Sequence, residues 1–166
     1  MSDVKIYLGI DPGKDGGIAA IEGAYSGVIM AIKTPTTADN ELDITAIVGH
    51  LHNLMELGTV YATIEKVHSM PGQGVASMFS FGMTTGILHG IIGTLGLPRF
   101  LVAPQTWKKR ILHDTPKDKD AAIAYCTMAY PYVSMVATPR STKPHNGIAD
   151  AICIARYAYE VDIHER

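Results

Sequence analysis

The chain has almost no surplus charge of either sign: 14 Lys and Arg stand against 16 Asp and Glu in 166 residues, a formal net charge of −2. Proteins that coat a polyanion through bulk charge carry a large basic excess. Any contact with nucleic acid here must therefore come from a local patch. Cysteine is equally scarce, with Cys126 and Cys153 each inside an apolar stretch of helical spacing. That excludes a disulfide-built scaffold and points to two buried free thiols in a reducing cytoplasm. No apolar run approaches the roughly 20 residues needed to cross a bilayer, and residues 1–5 show no charged-then-apolar leader, so neither secretion nor a membrane partner is expected. Internal repeats, low-complexity tracts and the glycine-rich lysine loop of nucleotide-binding proteins are also missing. What is present is 47% hydrophobic residues with 18% charged, enough to bury one ordinary core, so a single domain over 1–166 is expected.

Apolar runs over 4–10, 18–21 and 27–32, separated by turn-prone segments such as Asp11-Pro12-Gly13-Lys14-Asp15-Gly16-Gly17, predict an antiparallel meander. Leu42, Ile44, Ile47, Val48, Leu51, Leu54 and Met55 recur at helical spacing and predict a helix over 42–57, stopped by Gly58. A strand over 60–67 follows, with Glu65 near its end. Residues 75–95 form a long, apolar, glycine-dotted helix suited to close packing against a sheet or another subunit. Residues 99–103 read as a fifth strand, 104–112 as a helix opened by Pro104, 117–128 as another, 131–144 as irregular, and 147–159 as the last helix. Three strands, then helices alternating with two more strands, give an α/β class: a five-stranded mixed sheet flanked by helices.

Three acidic residues interrupt otherwise apolar elements. Asp11 ends the first strand within Gly9-Ile10-Asp11-Pro12-Gly13, where glycines allow another molecule's backbone to approach. Glu65 ends the fourth within Thr63-Ile64-Glu65-Lys66-Val67, and Asp150 enters the small-residue face of the last helix. Taken singly, Asp11 also suits a hairpin turn that bonds its own backbone, and Glu65 a solvated edge. Taken together, their burial is most simply compensated by a shared cation, and carboxylates suit hard, oxygen-loving ions such as Mg2+. Two-metal sites of this type hold both oxygens of an in-line phosphoryl displacement.

The ordered set Gly9-Ile10-Asp11-Pro12-Gly13, Ile64-Glu65-Lys66-Val67-His68 running into Met70-Pro71-Gly72-Gln73-Gly74-Val75, and Ala149-Asp150-Ala151 resembles the RuvC-like Holliday junction resolvases over nearly the whole chain. Ser77-Met78-Phe79-Ser80-Phe81-Gly82 makes the phage-type branch the nearer match. The resemblance implies a ribonuclease H-like fold and a homodimer acting as a crossover junction endodeoxyribonuclease, nicking four-way junctions and other branched DNA with Mg2+, or Mn2+ as substitute. It implies Asp11, Glu65 and Asp150 as catalytic metal ligands and, for a phage-encoded protein, the host cytoplasm as its location.

The chain departs from the family at the fourth ligand. The phage-type pattern has His-Asp-Gly where this sequence reads His145-Asn146-Gly147, and the bacterial-type position is Gly147 itself. Asn146 offers a neutral carbonyl oxygen and His145 an imidazole that suits magnesium poorly, so both remain candidate ligands for a weakened second metal position. Asn146 equally suits the N-cap of the last helix. A junction-binding protein with weak or absent cleavage is the corresponding alternative. For DNA contact the candidates are Lys66, Gln73, Gly74, Lys108, Lys109, Arg110 and Lys143, with Arg140 nearby. Phe79 and Phe81 are expected mainly in helix packing, with base stacking as a further use. His50, His52 and Glu56 superficially resemble zinc ligands, but they fit the outer face of an amphipathic helix. Actin-like kinases and ATPases also open with a strand, an Asp-x-Gly turn and a returning strand, but they need two such domains and a longer chain.

Overall fold

A computed structural model describes residues 4–68, 72 and 74–164. The elements run β1 (Lys5–Asp11), β2 (Gly17–Glu22), β3 (Val28–Lys33), α1 (Ile44–Leu57), β4 (Thr59–Glu65), α2 (Val75–Thr94), β5 (Arg99–Val102), α3 (Pro104–Ile111), α4 (Ala121–Ala129) and α5 (Asn146–His164). The strands form one mixed sheet in the order β3-β2-β1-β4-β5, antiparallel from β1 to β3 and parallel from β1 through β4 to β5. The fold class is that expected from the chain. Most boundaries move by one or two residues, as fraying element ends do. The larger shifts are at α4, which starts at Ala121 rather than near 117, and at α5, which runs from Asn146 to His164 rather than over 147–159. Lys117-Asp118-Lys119-Asp120 has no apolar side chain to bury, and the Asp118 carboxylate instead accepts the Asp120 backbone N–H at 2.9 Å, closing a turn.

Alternation along β1 separates two cores. Ile6, Leu8 and Ile10 point to one face of the sheet, where Ile47 and Leu51 of α1 and Leu88 and Ile92 of α2 cover them. Tyr7, Gly9 and Asp11 point to the other face, which α5 covers with Ile148, Ile152 and Ala155 while α3 and α4 supply Trp107 and Cys126. Cys126 and Cys153 are buried free thiols, with Sγ atoms 3.8 Å apart.

The seating of α5 on the sheet depends on missing side chains. A Cβ on Gly9 would stand 2.2 Å from the Ala151 carbonyl oxygen, one on Gly17 2.3 Å from the Gly147 oxygen, and one on Gly147 2.5 Å from the Asp15 oxygen. Gly9 thus admits the chain's own helix, not another molecule's backbone. Close backbone contact of this kind brings the first turns of α5 against the end of β1.

The expectation that no apolar run approaches a membrane-spanning length fails at α2. α2 spans 20 residues and contains an 18-residue stretch with mean hydropathy 1.4, long and apolar enough by composition to cross a membrane, and only 22% of that stretch is buried. Gly82, Gly86, Gly90 and Gly93 had broken up its apolar signal.

Candidate active site

β1 and β4 deliver two carboxylates side by side. Ile10 pairs with Ile64 in parallel register, and both side chains enter the α1/α2 core. The next residues, Asp11 and Glu65, therefore lie on the α5 face at the carboxyl ends of adjacent strands, one strand spacing of about 4.8 Å apart along the ladder. Asp150 joins them from α5, between the buried Ala149 and Ala151. Burial, with the negative charges of Asp150 and Glu65, pushes the Asp11 carboxyl up to about 8, against the opposing pull of Lys108. Burial also lifts Asp150 to about 6, with Lys108 opposing and Glu65 adding to the rise. Asp11, Glu65 and Asp150 thus share one field, which the Lys108 charge opposes at Asp11 and Asp150.

That charge imbalance and the all-carboxylate donor set fit a divalent cation. Among the described residues, no three His, Cys, Asp or Glu side chains are arranged to hold a metal ion as they stand. Glu65 is engaged: the buried Trp107 donates its indole N–H to Glu65 Oε2 at 2.6 Å.

The two candidates for a fourth ligand sit differently. Asn146 is exposed at the start of α5, four residues before Asp150 and hence on the same helix face. His145 lies just outside the helix, where its Nδ1 accepts the Ile148 N–H at 3.4 Å. The cap is therefore His145, and Asn146 does not serve as one. The charges that act on the His145 imidazole are those of Lys33 and Asp15 rather than the three carboxylates; burial first, then Lys33, moves its pKa down.

A cleft of about 610 Å3 opens beside Asp11, lined by Gly13, Lys14, Ser77, Ser80 and Phe81 among others. Phe81 is half-buried near Gly13, which has a φ of 129° that favours glycine, whereas Phe79 is 72% exposed and does not pack in the core. Lys66, Lys108, Lys109, Lys143 and Gly74 are exposed. Arg110 is committed elsewhere, with Nε 3.3 Å from Glu160 Oε2 and a second guanidinium contact to the Glu160 carbonyl. Gln73 lies outside the described residues. Lys14, Ser77, Ser80 and the Trp107–Glu65 bond were not anticipated. The one signal for the last was a lone Trp on an amphipathic helix, whose buried N–H must find an acceptor.

No protein-family profile and no curated protein sequence matches the chain. Solved structures do. RuvC of Thermus thermophilus, in complex with a Holliday junction substrate, matches with a TM-score of 0.65 at 16% identity over 96% of both chains. This chain has the RuvC fold. A second Thermus thermophilus RuvC structure gives a TM-score of 0.57 at 18% identity, again over 96% of both chains. The yeast mitochondrial Holliday junction resolvase Ydc2 gives 0.54 at 12% identity, over 95% of this chain and 80% of that one. The mixed five-stranded sheet flanked by helices is thus common ground between this chain and RuvC.

Proposed function

We propose that this protein is a metal-dependent endodeoxyribonuclease of the phage-type RuvC-like branch that binds branched DNA, chiefly four-way junctions, and nicks it by phosphodiester hydrolysis. The observation that carries this proposal is the electrostatic coupling of Asp11, Glu65 and Asp150 at one end of the sheet, in a fold shared with a RuvC bound to a Holliday junction. Asp11, Glu65 and Asp150 would hold Mg2+ or Mn2+, which when bound supplies an activated water and charge stabilisation at the scissile phosphate. Exposed Lys66, Lys108, Lys109 and Lys143, with the backbone at Gly74, are proposed to position the phosphate backbone. Lys108 also acts before any ion arrives, its charge offsetting those of Asp11 and Asp150. Val75, Met78, Phe79 and Met83 are exposed apolar side chains on α2 and support a homodimer that covers this helix. The cytoplasm, that of the host if the protein is phage-encoded, is its proposed location.

Asn146 favours a second outcome of the same chemistry, a junction binder that cuts slowly. It occupies the face of α5 that bears Asp150, where a carboxylate would complete the acidic set, and Gly147 cannot supply one without a clash. The test is cleavage of a labelled four-way junction beside linear duplex and a fork, in Mg2+, Mn2+ or EDTA. Paired metal-dependent nicks lost in Glu65→Gln support the resolvase. Binding without cutting, rescued by Asn146→Asp, identifies the slow binder. Neither binding nor cutting in any variant rejects both.

A further inference from the structure

We propose that Trp107 is a positioning residue for Glu65: its indole N–H holds one carboxylate oxygen and so leaves the other available to a divalent cation. The proposal rests on the metal site described above. Trp107 is fully buried, and its only polar side-chain atom donates to Glu65 Oε2 at 2.6 Å. Indole nitrogen can donate but not accept, so its single bond has one direction and fixes one oxygen.

The fold sets this contact over a short path. Glu65 pairs with Val102 across β4 and β5, and the Lys66 N–H donates to the Val102 carbonyl at 2.7 Å. Two residues after Val102 the chain turns into α3, with Pro104 in its first turn, and Trp107 comes back over Glu65. The strand that registers the Glu65 backbone therefore also carries the residue that holds its side chain. A long, flexible carboxylate beside Asp11 and Asp150 would otherwise swing away from like charge, because Glu loses substantial rotamer freedom when fixed. Partners that orient metal ligands in this way commonly change metal affinity about 10–100-fold when removed. Packing alone would be satisfied by any large apolar side chain, and such a side chain would lack the N–H.

Because Trp107 is the only tryptophan in the chain, it can be replaced, and its emission read, without interference from another site. The decisive variant replaces it with β-(3-benzothienyl)alanine, which keeps the shape and substitutes sulfur for the N–H; Trp107→Phe is the simpler companion. Calorimetric titration of the full-length protein with Mn2+ is expected to show affinity roughly tenfold weaker or more in the isostere, with metal-free thermal unfolding within a few degrees of wild type. Emission of the wild-type protein is expected to change on adding Mg2+ and to stay constant in Glu65→Gln. Equal or tighter Mn2+ binding by the isostere overturns the positioning role and leaves the metal site standing. Absence of Mn2+ binding by the wild-type chain overturns both. Should Trp107→Phe fail to fold, the isostere still decides the matter.

Discussion

At the scale of single residues, the carboxylates are set against one another by burial. The ordinary Asp value is near 3.8, and the native chain lifts Asp11 to about 8 and Asp150 to about 6. In metal-free protein the folded state thus keeps protons that the unfolded chain has already lost. Their stabilising contribution is fully present below about pH 4, falls as pH rises, and is gone above about pH 8. Asp11→Asn removes the buried charge. In EDTA it should raise the unfolding temperature by several degrees at pH 9 and by little at pH 4, as differential scanning calorimetry would show. The effect reverses with metal. Millimolar Mg2+ should stabilise wild type in proportion to the logarithm of its concentration and leave Asp11→Asn nearly unmoved. A flat Mg2+ response in wild type would count against Asp11 as a ligand.

At the scale of elements, glycines act in opposite ways on two helices. Gly49 on α1 has nothing within 4 Å of an added Cβ, so Gly49→Ala should stabilise the protein by about 0.5–1 kcal/mol through helix propensity alone. Gly147 lies in the first turn of α5, where helix propensity again favours Ala. The added Cβ there would meet the Asp15 carbonyl oxygen at 2.5 Å and Gly16 Cα at 2.7 Å, both backbone. Gly147→Ala should therefore destabilise by about 1–3 kcal/mol, the usual cost of overpacking, and weaken Mg2+ binding by lifting Asp150 away from β1. Urea denaturation of the two variants, run together, separates propensity from packing. Stabilisation by both would mean that α5 does not rest on the sheet at backbone contact.

At the scale of the whole molecule, α2 and β5 leave much apolar surface open. Phe79 is 72% exposed, Val75 82% and Phe100 56%, and exposed patches of this kind mark interaction surfaces more often than free ones. A homodimer predicts a light-scattering mass near twice 17.9 kDa. Phe79→Glu should return the chain to a monomer at micromolar concentration while leaving its circular dichroism spectrum unchanged. The apolar length of α2 makes vesicle flotation the companion measurement. Flotation of wild type with liposomes would identify lipid as what covers α2.

The sequence by itself determined the order and type of the elements, because hydrophobic period, turn residues and Pro104 act locally and each is written in a few adjacent positions. It also determined which carboxylates stand out, since Asp11, Glu65 and Asp150 each interrupt an apolar run. Tertiary structure alone decided what surrounds them. The β1–β4 register set Asp11 beside Glu65, while Gly9, Gly17 and Gly147 let α5 bring Asp150 close. The turn into α3 placed the Trp107 N–H on Glu65 and the Lys108 charge near Asp11. His145 rather than Asn146 became the cap of α5, and Arg110 was taken up by Glu160. These partners are distant along the chain, and short-range pattern carries no record of which side chains meet when strands pair and helices settle on them.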